Sequence, residues 1–154
     1  MTNTEFRISQ GFWIGQTQTR DGRKTYVSTT NGELYEFDTA TENFKDLGYL
    51  LPKDSIAAGR KIAFMYGVTL SPDEKALYYA PAVLENPEGS GELYSYELAT
   101  GEIHFVQQLP PGVYATADLR DSNNIYMAHF GTRDDVWKGN ARLIIIKPDS
   151  PPAP

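Results

Sequence analysis

The segment from Thr69 to Pro81, TLSPDEKALYYAP, joins an apolar strand end to a second apolar run through a short polar turn. Pro and Asp favour tight turns, and Leu-Tyr-Tyr is typical of β-strands. The same arrangement occurs twice more, in TRDGRKTYV from Thr19 and in LRDSNNIYM from Leu119. The segment therefore predicts a β-hairpin that the chain repeats three times.

Two sets of residues keep their register when these segments are aligned. The aspartates of the turns are 52 and then 48 residues apart, and a tyrosine follows each aspartate five residues later. A second match follows in GELYEFD from Gly32, GELYSYE from Gly91 and ARLIIIK from Ala141. Two matching registers favour three copies of one unit over a β-sandwich whose strands happen to be alike. The first register comprises Asp21, Asp73 and Asp121, with Tyr26, Tyr78 and Tyr126.

Each copy predicts up to four antiparallel strands. An innermost strand precedes the turn, in FWIGQTQT, KIAFMYGVTL and VYATADL, and ENFKDLG and EIHFVQQL supply an outer strand in two copies. Four-stranded units that recur every ~40 to 50 residues are typical of β-propeller blades. The predicted fold is therefore all-β, a single partial propeller over 1–154. Its predicted parts are units at about 11–50, 61–109 and 112–148, a Pro-rich tail at 149–154 and one helical turn near 54–60.

Three blades do not close a ring, because propellers typically have about four to eight blades. Their end faces would expose apolar patches, and the third unit runs into PDSPPAP before an outer strand. We therefore expect a homo-oligomer, or a partner chain, to complete a six- or seven-bladed ring. In one form of this hypothesis TEFRIS, with Phe6 and Ile8 on one face, supplies the missing strand. In the other, the chain is the C-terminal portion of a longer propeller.

Composition excludes several classes of function. The formal net charge of −6 and the lack of a basic run argue against a nucleic-acid partner. The absence of cysteine excludes disulfides, thiolate metal sites and thiol catalysis. The sequence has no signal peptide pattern and no apolar run long enough to span a membrane, and it leaves the compartment open. We expect no cofactor and no metal.

The stretch YGVTLSPDEKALYYAP…GELYSYELATGEI resembles YVTN/YncE-type bacterial propeller repeats, and the stretch from Asn124 to Pro148 is similar to the last blade of large bacterial propellers. The chain is also similar, at the level of the fold, to the gluconolactonase/SMP-30-like propellers. Those enzymes have a calcium-binding Asn and Asp where this chain has Tyr66 and Pro81, which offer no hard oxygen ligand from a side-chain amide or carboxylate. The resemblance implies the fold and not the metal site.

One rim of the predicted propeller gathers the long loops VLENPEGSG, FGTRDDVWKG and LLPKDSIAAGR. Loops on a rigid scaffold commonly carry binding residues, and this mixture of aromatic, amide and charged groups suits a sugar-like or peptide ligand. The alternative is that FGTRDDVWKG is a solvated connection with Trp137 packed against a neighbouring blade, and that the inner-strand tyrosines only pack. His104 lies on an outer strand, where we expect it to face solvent. The candidate ligand-binding residues are Tyr66, Tyr114, His129, Arg133, Asp134, Asp135 and Trp137.

We find no Ser/His/Asp arrangement and no phosphate-binding glycine loop, and we assign no catalytic residue. The predicted function is a non-enzymatic binding or scaffolding module that engages a ligand or a protein through one rim. The alternative is part of a propeller hydrolase, lactonase or lyase whose site is completed by missing blades or by a partner chain. A third hypothesis is a subunit that packs into a larger complex through its unclosed blade faces.

Overall fold

The computed structural model describes residues 13–87, 89–120, 124–131 and 141–147. In chain order, these residues form β1 (Trp13–Gln18), β2 (Lys24–Thr29), β3 (Glu33–Asp38), β4 (Asn43–Tyr49), α1 (Lys53–Ala57), β5 (Ile62–Phe64), β6 (Thr69–Leu70), β7 (Ala76–Tyr79), β8 (Ala82–Val83), β9 (Glu92–Glu97), β10 (Ile103–Gln108), β11 (Tyr114–Arg120), β12 (Ile125–His129) and β13 (Arg142–Ile146). The strands belong to three antiparallel sheets and one small two-stranded sheet.

The three main sheets have the same strand order. Sheet 1 is β1-β2-β3-β4, sheet 2 is β6-β7-β9-β10, and sheet 3 is β11-β12-β13 over the described residues. In each sheet the chain moves from the inner strand outward, as in a propeller blade. The prediction of antiparallel, four-stranded propeller blades is therefore confirmed.

The turns explain why aspartate recurs. Thr19 Oγ1 donates to Asp21 Oδ1 at 2.6 Å, and the N–H of Arg23 donates to the same oxygen at 2.9 Å. Ser71 and Asp73 make the equivalent side-chain bond at 2.6 Å in the next sheet. The hydrogen bonds from Thr19 and Ser71 hold the pKa of each aspartate below its ordinary value. These two aspartates therefore stabilise their turns, and Asp121 lies outside the described residues.

The predicted inner strand KIAFMYGVTL is interrupted, which is a correction. Its first part is β5, which pairs with β8 in the small sheet, and only β6 joins sheet 2. The break contains Gly67, whose φ of +96° suits glycine. A Cβ on Gly67 would lie 2.7 Å from Thr116 Oγ1 and 3.0 Å from Gly15 Cα. The inner regions of all three sheets therefore meet at this glycine, which leaves no room for a side chain.

Two apolar clusters hold the sheets face to face. Tyr26 and Leu34 of sheet 1 pack against sheet 2, and Tyr78 and Leu93 of sheet 2 pack against sheet 3. Burial of large apolar side chains of this kind contributes about 1.5–3 kcal/mol each. The first cluster comprises Tyr26, Leu34, Leu50, Leu51, Ile62, Met65, Val68, Leu70, Leu77, Tyr79, Val83, Tyr94 and Tyr96. The second comprises Tyr78, Ala80, Leu93, Leu109, Tyr114, Ile125, Met127 and Ile146.

Candidate interaction site

Of the sequence-predicted site residues that it describes, the structure brings Tyr114 and His129 together in the core and leaves Tyr66 at the surface. Tyr114 and His129 are buried, whereas Tyr66 is 42% exposed. Tyr66 lies between β5 and β6 rather than on an inner strand, and its ring makes a T-shaped contact with that of Phe64 at a centroid distance of 5.4 Å. Arg133, Asp134, Asp135 and Trp137 lie outside the described residues. Among the described candidate residues, Tyr66 therefore offers the one exposed aromatic ring, beside a half-buried Phe64.

His129 and Tyr114 form a buried stack. They are paired across β11 and β12, and their rings lie 4.6 Å apart with an interplanar angle of 23°. His129 Nε2 lies 3.1 Å from the carbonyl oxygen of Pro111, which favours the tautomer with its proton on Nε2. The Tyr114 hydroxyl donates to the carbonyl oxygen of Pro110 at 2.6 Å, and burial raises the pKa of Tyr114 to about 12. Both side chains therefore help to fix the chain segment that leads into sheet 3.

Two further features resemble ligand sites in outline, a cavity beside β1 and a group of acidic and histidine side chains. A cavity of 170 Å³ is lined by Ile14, Gly15, Gln16 and Val27, which is smaller than the ~300–1,000 Å³ typical of small-molecule sites. Near the β9–β10 turn, ligand-type atoms of Glu97, Glu102 and His104 lie within 4.8 Å of one another.

His104 is exposed on β10, and its Nε2 lies 3.7 Å from a carboxylate oxygen of Glu102. Oxygen and nitrogen ligands of this kind suit a divalent cation, but largely exposed side chains of this kind are common without one. They provide no enclosed coordination site.

A different surface stands out on sheet 3. Its outer face, which points away from sheet 2, contains Ala115, Tyr126, Ala128, Leu143 and Ile145, because these residues alternate with the buried ones and pair across β11, β12 and β13. We call this surface the open face. Leu143 is 60% exposed and Ile145 is 56% exposed. No member of the open face carries a charge.

The repeat alignment shows how unusual this exposure is. Leu34, Leu93 and Leu143 occupy the same position in GELYEFD, GELYSYE and ARLIIIK. The first two leucines are 0% exposed, because each packs against the next sheet. Leu143 has the same place in its sheet with no described sheet beyond it. The sequence-based predictions did not include Leu143 and Ile145, because the alignment shows which residues are equivalent and not which of them a neighbouring sheet covers.

The opposite end of the stack is different. Val27 and Tyr35 pair across β2 and β3 and lie on the face of sheet 1 that points away from sheet 2. They are nonetheless only 4% and 6% exposed. The expectation that both end faces of the stack expose apolar patches is therefore wrong for these two residues and holds for the open face.

Sheets that run from an inner to an outer strand and pack face to face define the chain as a set of β-propeller blades. Solved structures agree. The chain is similar to TolB from Acinetobacter baumannii, with 17% identity, a TM-score of 0.56, and coverage of 89% of this chain and 30% of that one. It is similar to the β-propeller domain of Myceliophteria thermophila Cps50 (Swd1), with 16% identity, a TM-score of 0.56, and coverage of 90% and 38%.

A third similar structure is oligogalacturonate lyase from Vibrio parahaemolyticus, with 14% identity, a TM-score of 0.53, and coverage of 78% and 34%. The chain therefore spans about a third of the length of these solved structures. No family model and no curated protein matches the sequence. These likenesses support the propeller fold, and they do not support the finer resemblance to YVTN/YncE or SMP-30-like families. Among the described residues, no helix is long and apolar enough to cross a membrane.

Proposed function

We propose that the chain is a non-enzymatic β-propeller module that binds a protein partner, and that the partner places a further propeller blade on the open face. The observation that carries this proposal is the contrast between Leu143, which is exposed, and its buried equivalents Leu34 and Leu93. The same fold position is covered by a neighbouring sheet in two of three cases. A third sheet-to-sheet contact is the simplest way to cover it in the remaining case.

The chemistry of the open face supports a protein partner. Its residues are uncharged, while the chain as a whole has a net charge of −6. Depletion of charge is typical of the core of protein interfaces. The covered faces indicate what the partner presents. On sheet 3 the equivalent contact surface includes Ile125, Met127 and Ile146, so we expect bulky apolar side chains on alternate residues of the partner's strands.

The burial of Val27 and Tyr35 favours a partner other than a second copy of this chain. Two copies would form a closed six-bladed ring only if the open face of each met the outer face of sheet 1 in the other. Those two residues are already covered. This burial argues against closure of a ring by a second copy, and we therefore propose that a different polypeptide segment supplies the blade.

A binding role is favoured over catalysis by His129. Its ring is stacked on Tyr114 and its Nε2 faces a backbone carbonyl, so it does not reach a solvent-accessible substrate from this position. A sugar-like or peptide ligand on the rim remains a prediction. In the described residues it is supported by the exposed ring of Tyr66 beside Phe64.

The proposal is tested by site-specific cross-linking. Because the chain has no native cysteine, an introduced cysteine is its single labelling site. The variant Leu143→Cys is labelled with a benzophenone maleimide and irradiated in an extract of the source cells. Thr41→Cys, at an exposed position in the β3–β4 turn, is the matched control. We expect an adduct at position 143 alone, with the linked peptide on the face of a propeller blade. An adduct to a second copy, or equal adducts at both positions, would contradict the proposal.

A further inference from the structure

The outer edge of sheet 3 differs from the outer edges of sheets 1 and 2. In sheet 1 β3 is followed by β4, and in sheet 2 β9 is followed by β10. In sheet 3 the equivalent strand is β13, and it is the edge strand among the described residues. An edge strand presents a row of backbone donors and acceptors that another strand can pair with.

The repeat identifies which backbone groups of β13 point outward. The N–H of Leu109 donates to the carbonyl of Gly91 at 2.8 Å, and the N–H of Glu97 donates to the carbonyl of Glu102 at 2.8 Å. Both bonds join β9 or its flanking residue to the outer strand. By the alignment, Gly91 corresponds to Ala141 and Glu97 to Lys147. Because backbone groups alternate between the two sides of a strand, residues 141, 143, 145 and 147 direct theirs away from β12.

We infer that β13 binds an extended peptide segment of a partner protein as a fourth, antiparallel strand. This surface is the backbone edge of the sheet, distinct from the side chains of the open face, and the inference does not depend on the proposed function. Strand addition to an exposed sheet edge is an established mode of peptide recognition, in which main-chain hydrogen bonds supply affinity and alternate side chains supply specificity.

The outer strands already present indicate the apolar content of the added segment. Both β4 and β10 have a register shift at the same place, between the partners of Leu34 and Tyr35 and between those of Leu93 and Tyr94. The residue at each shift is apolar and packs against a core cluster, Leu47 in β4 and Val106 in β10. We therefore expect one bulky apolar residue near the end of the segment that lies opposite Leu143 and Ile144.

The charged residues beside β13 indicate which polar residues the added segment should carry. Arg142 and Lys147 flank the middle of β13, whereas the equivalent positions in β9 are Glu92 and Glu97. Arg142 and Lys147 are both exposed. An added segment with acidic residues at its ends would meet these cations, while a basic segment would be repelled. The bound segment is therefore expected to be acidic at its ends and apolar within.

The inference is tested with a synthetic peptide that copies Glu102–Leu109, EIHFVQQL, the outer strand of sheet 2. Placed on β13 in the same register, its glutamate faces Lys147 rather than Glu97, and Val106 keeps its apolar role. Binding to the full chain is followed by NMR, with hydrogen exchange of the backbone amides of β13. We expect saturable binding by about 1 mM peptide, and a scrambled peptide is the control.

Two variants at one position separate the edge from the open face. Ile145→Pro removes an outward N–H and leaves the bonds to β12 intact, which edge strands tolerate. Ile145→Ala removes the side chain and retains the N–H. We expect the proline variant to bind the peptide about tenfold more weakly and the alanine variant to bind within about threefold of the wild type. Binding through the side chains of the open face would instead weaken both variants to a similar extent, because both lack the isoleucine side chain.

Hydrogen exchange supplies the decisive outcomes. Without peptide, the amides of Leu143 and Ile145 should exchange rapidly while those of Ile144 and Ile146 are protected, and the peptide should then protect the first pair. Protection of Leu143 and Ile145 in the isolated chain would show that the edge is already paired and would overturn the inference. Concentration-dependent self-association that Ile145→Pro abolishes would assign the edge to a second copy and would overturn it too. Absence of binding by the peptide would also overturn the inference.

Discussion

The covered and open faces of sheet 3 are built from similar residues but differ in what lies against them. Ile144 and Ile146 pack into the second apolar cluster, while Leu143 and Ile145, on the same strand, face outward. Of these four consecutive apolar residues, two therefore pack against sheet 2 and two are exposed. A strand with one covered face would normally alternate apolar and polar residues, whereas a strand covered on both faces is apolar throughout. The sequence of β13 is that of a strand with two covered faces.

The largest expected difference between a covered and an open face is the loss of unfolding free energy when a leucine is truncated to alanine. Leu93→Ala should lower the free energy of unfolding by about 2–5 kcal/mol, because it removes a fully buried side chain and leaves a cavity. Leu143→Ala should change it by less than about 0.5 kcal/mol, because the side chain is mostly exposed. Urea denaturation of both variants measures this. Equal losses would mean that the open face is covered in solution.

A second comparison concerns two glycines with almost the same φ angle. Gly67 has φ +96° and Gly48 has φ +97°. Gly67→Ala adds a Cβ against Thr116 and Gly15, whereas Gly48→Ala meets nothing within 4 Å. We expect Gly67→Ala to cost about 2–4 kcal/mol, from backbone strain and overpacking, and Gly48→Ala about 1 kcal/mol, from strain alone.

Thermal and urea unfolding of these two variants tests whether the inner regions of the three sheets meet. Similar losses of stability in both variants would contradict the close approach at Gly67.

A smaller effect on the free energy of unfolding is expected at alkaline pH, from Tyr114 on the covered face of sheet 3. Burial raises the pKa of Tyr114 from 10.0 to about 12. Above about pH 10 the unfolded chain ionises this tyrosine while the folded chain keeps it protonated, so the folded state binds more protons. Stability contributed by Tyr114 is therefore complete below about pH 10 and is lost as the pH rises to about 12.

The variant Tyr114→Phe removes this titration, although it also removes the hydrogen bond to Pro110. The slope of unfolding free energy against pH, rather than its level, is the quantity to compare. We expect a shallower slope in the variant between about pH 10 and 12. Identical slopes would place Tyr114 in contact with solvent.

Much of the fold follows from the sequence because the repeat is written in residues with clear physical roles. Aspartate marks the turns through bonds to Thr19 and Ser71, and the tyrosines five residues later lie on β2, β7 and β12. The segment near Asp54 forms the helix α1. Local turn chemistry and strand propensity are enough for such predictions.

The interrupted inner strand was less accessible to prediction. KIAFMYGVTL is predicted as one apolar strand, and its break lies where Gly67 approaches Gly15 of another sheet, a tertiary contact that the local sequence does not indicate. Tyr66 lies within this break, whereas Tyr114 lies on β11 and packs into the second apolar cluster. A strand shifted by one residue exchanges its two faces, so the sequence alone did not indicate that Tyr66 is exposed and Tyr114 buried.

The exposure of the open face likewise depends on tertiary contacts that the local sequence does not indicate. Leu34, Leu93 and Leu143 are equivalent in the alignment, but whether a leucine is covered depends on the presence of a neighbouring sheet. Likewise, the burial of Val27 and Tyr35 at the other end of the stack is not encoded in β2 and β3 themselves. Local sequence predicts what a face is made of, and only the assembled molecule shows what covers it.

The most direct test of the account is the reactivity of cysteine placed at the three equivalent leucines. In a chain without native cysteine, Leu34→Cys, Leu93→Cys and Leu143→Cys are each treated with a neutral thiol reagent under native conditions. We expect the thiol at position 143 to react at least about a hundredfold faster than those at 34 and 93, which require opening of the structure. Equal protection at all three positions would contradict the existence of an open face on sheet 3.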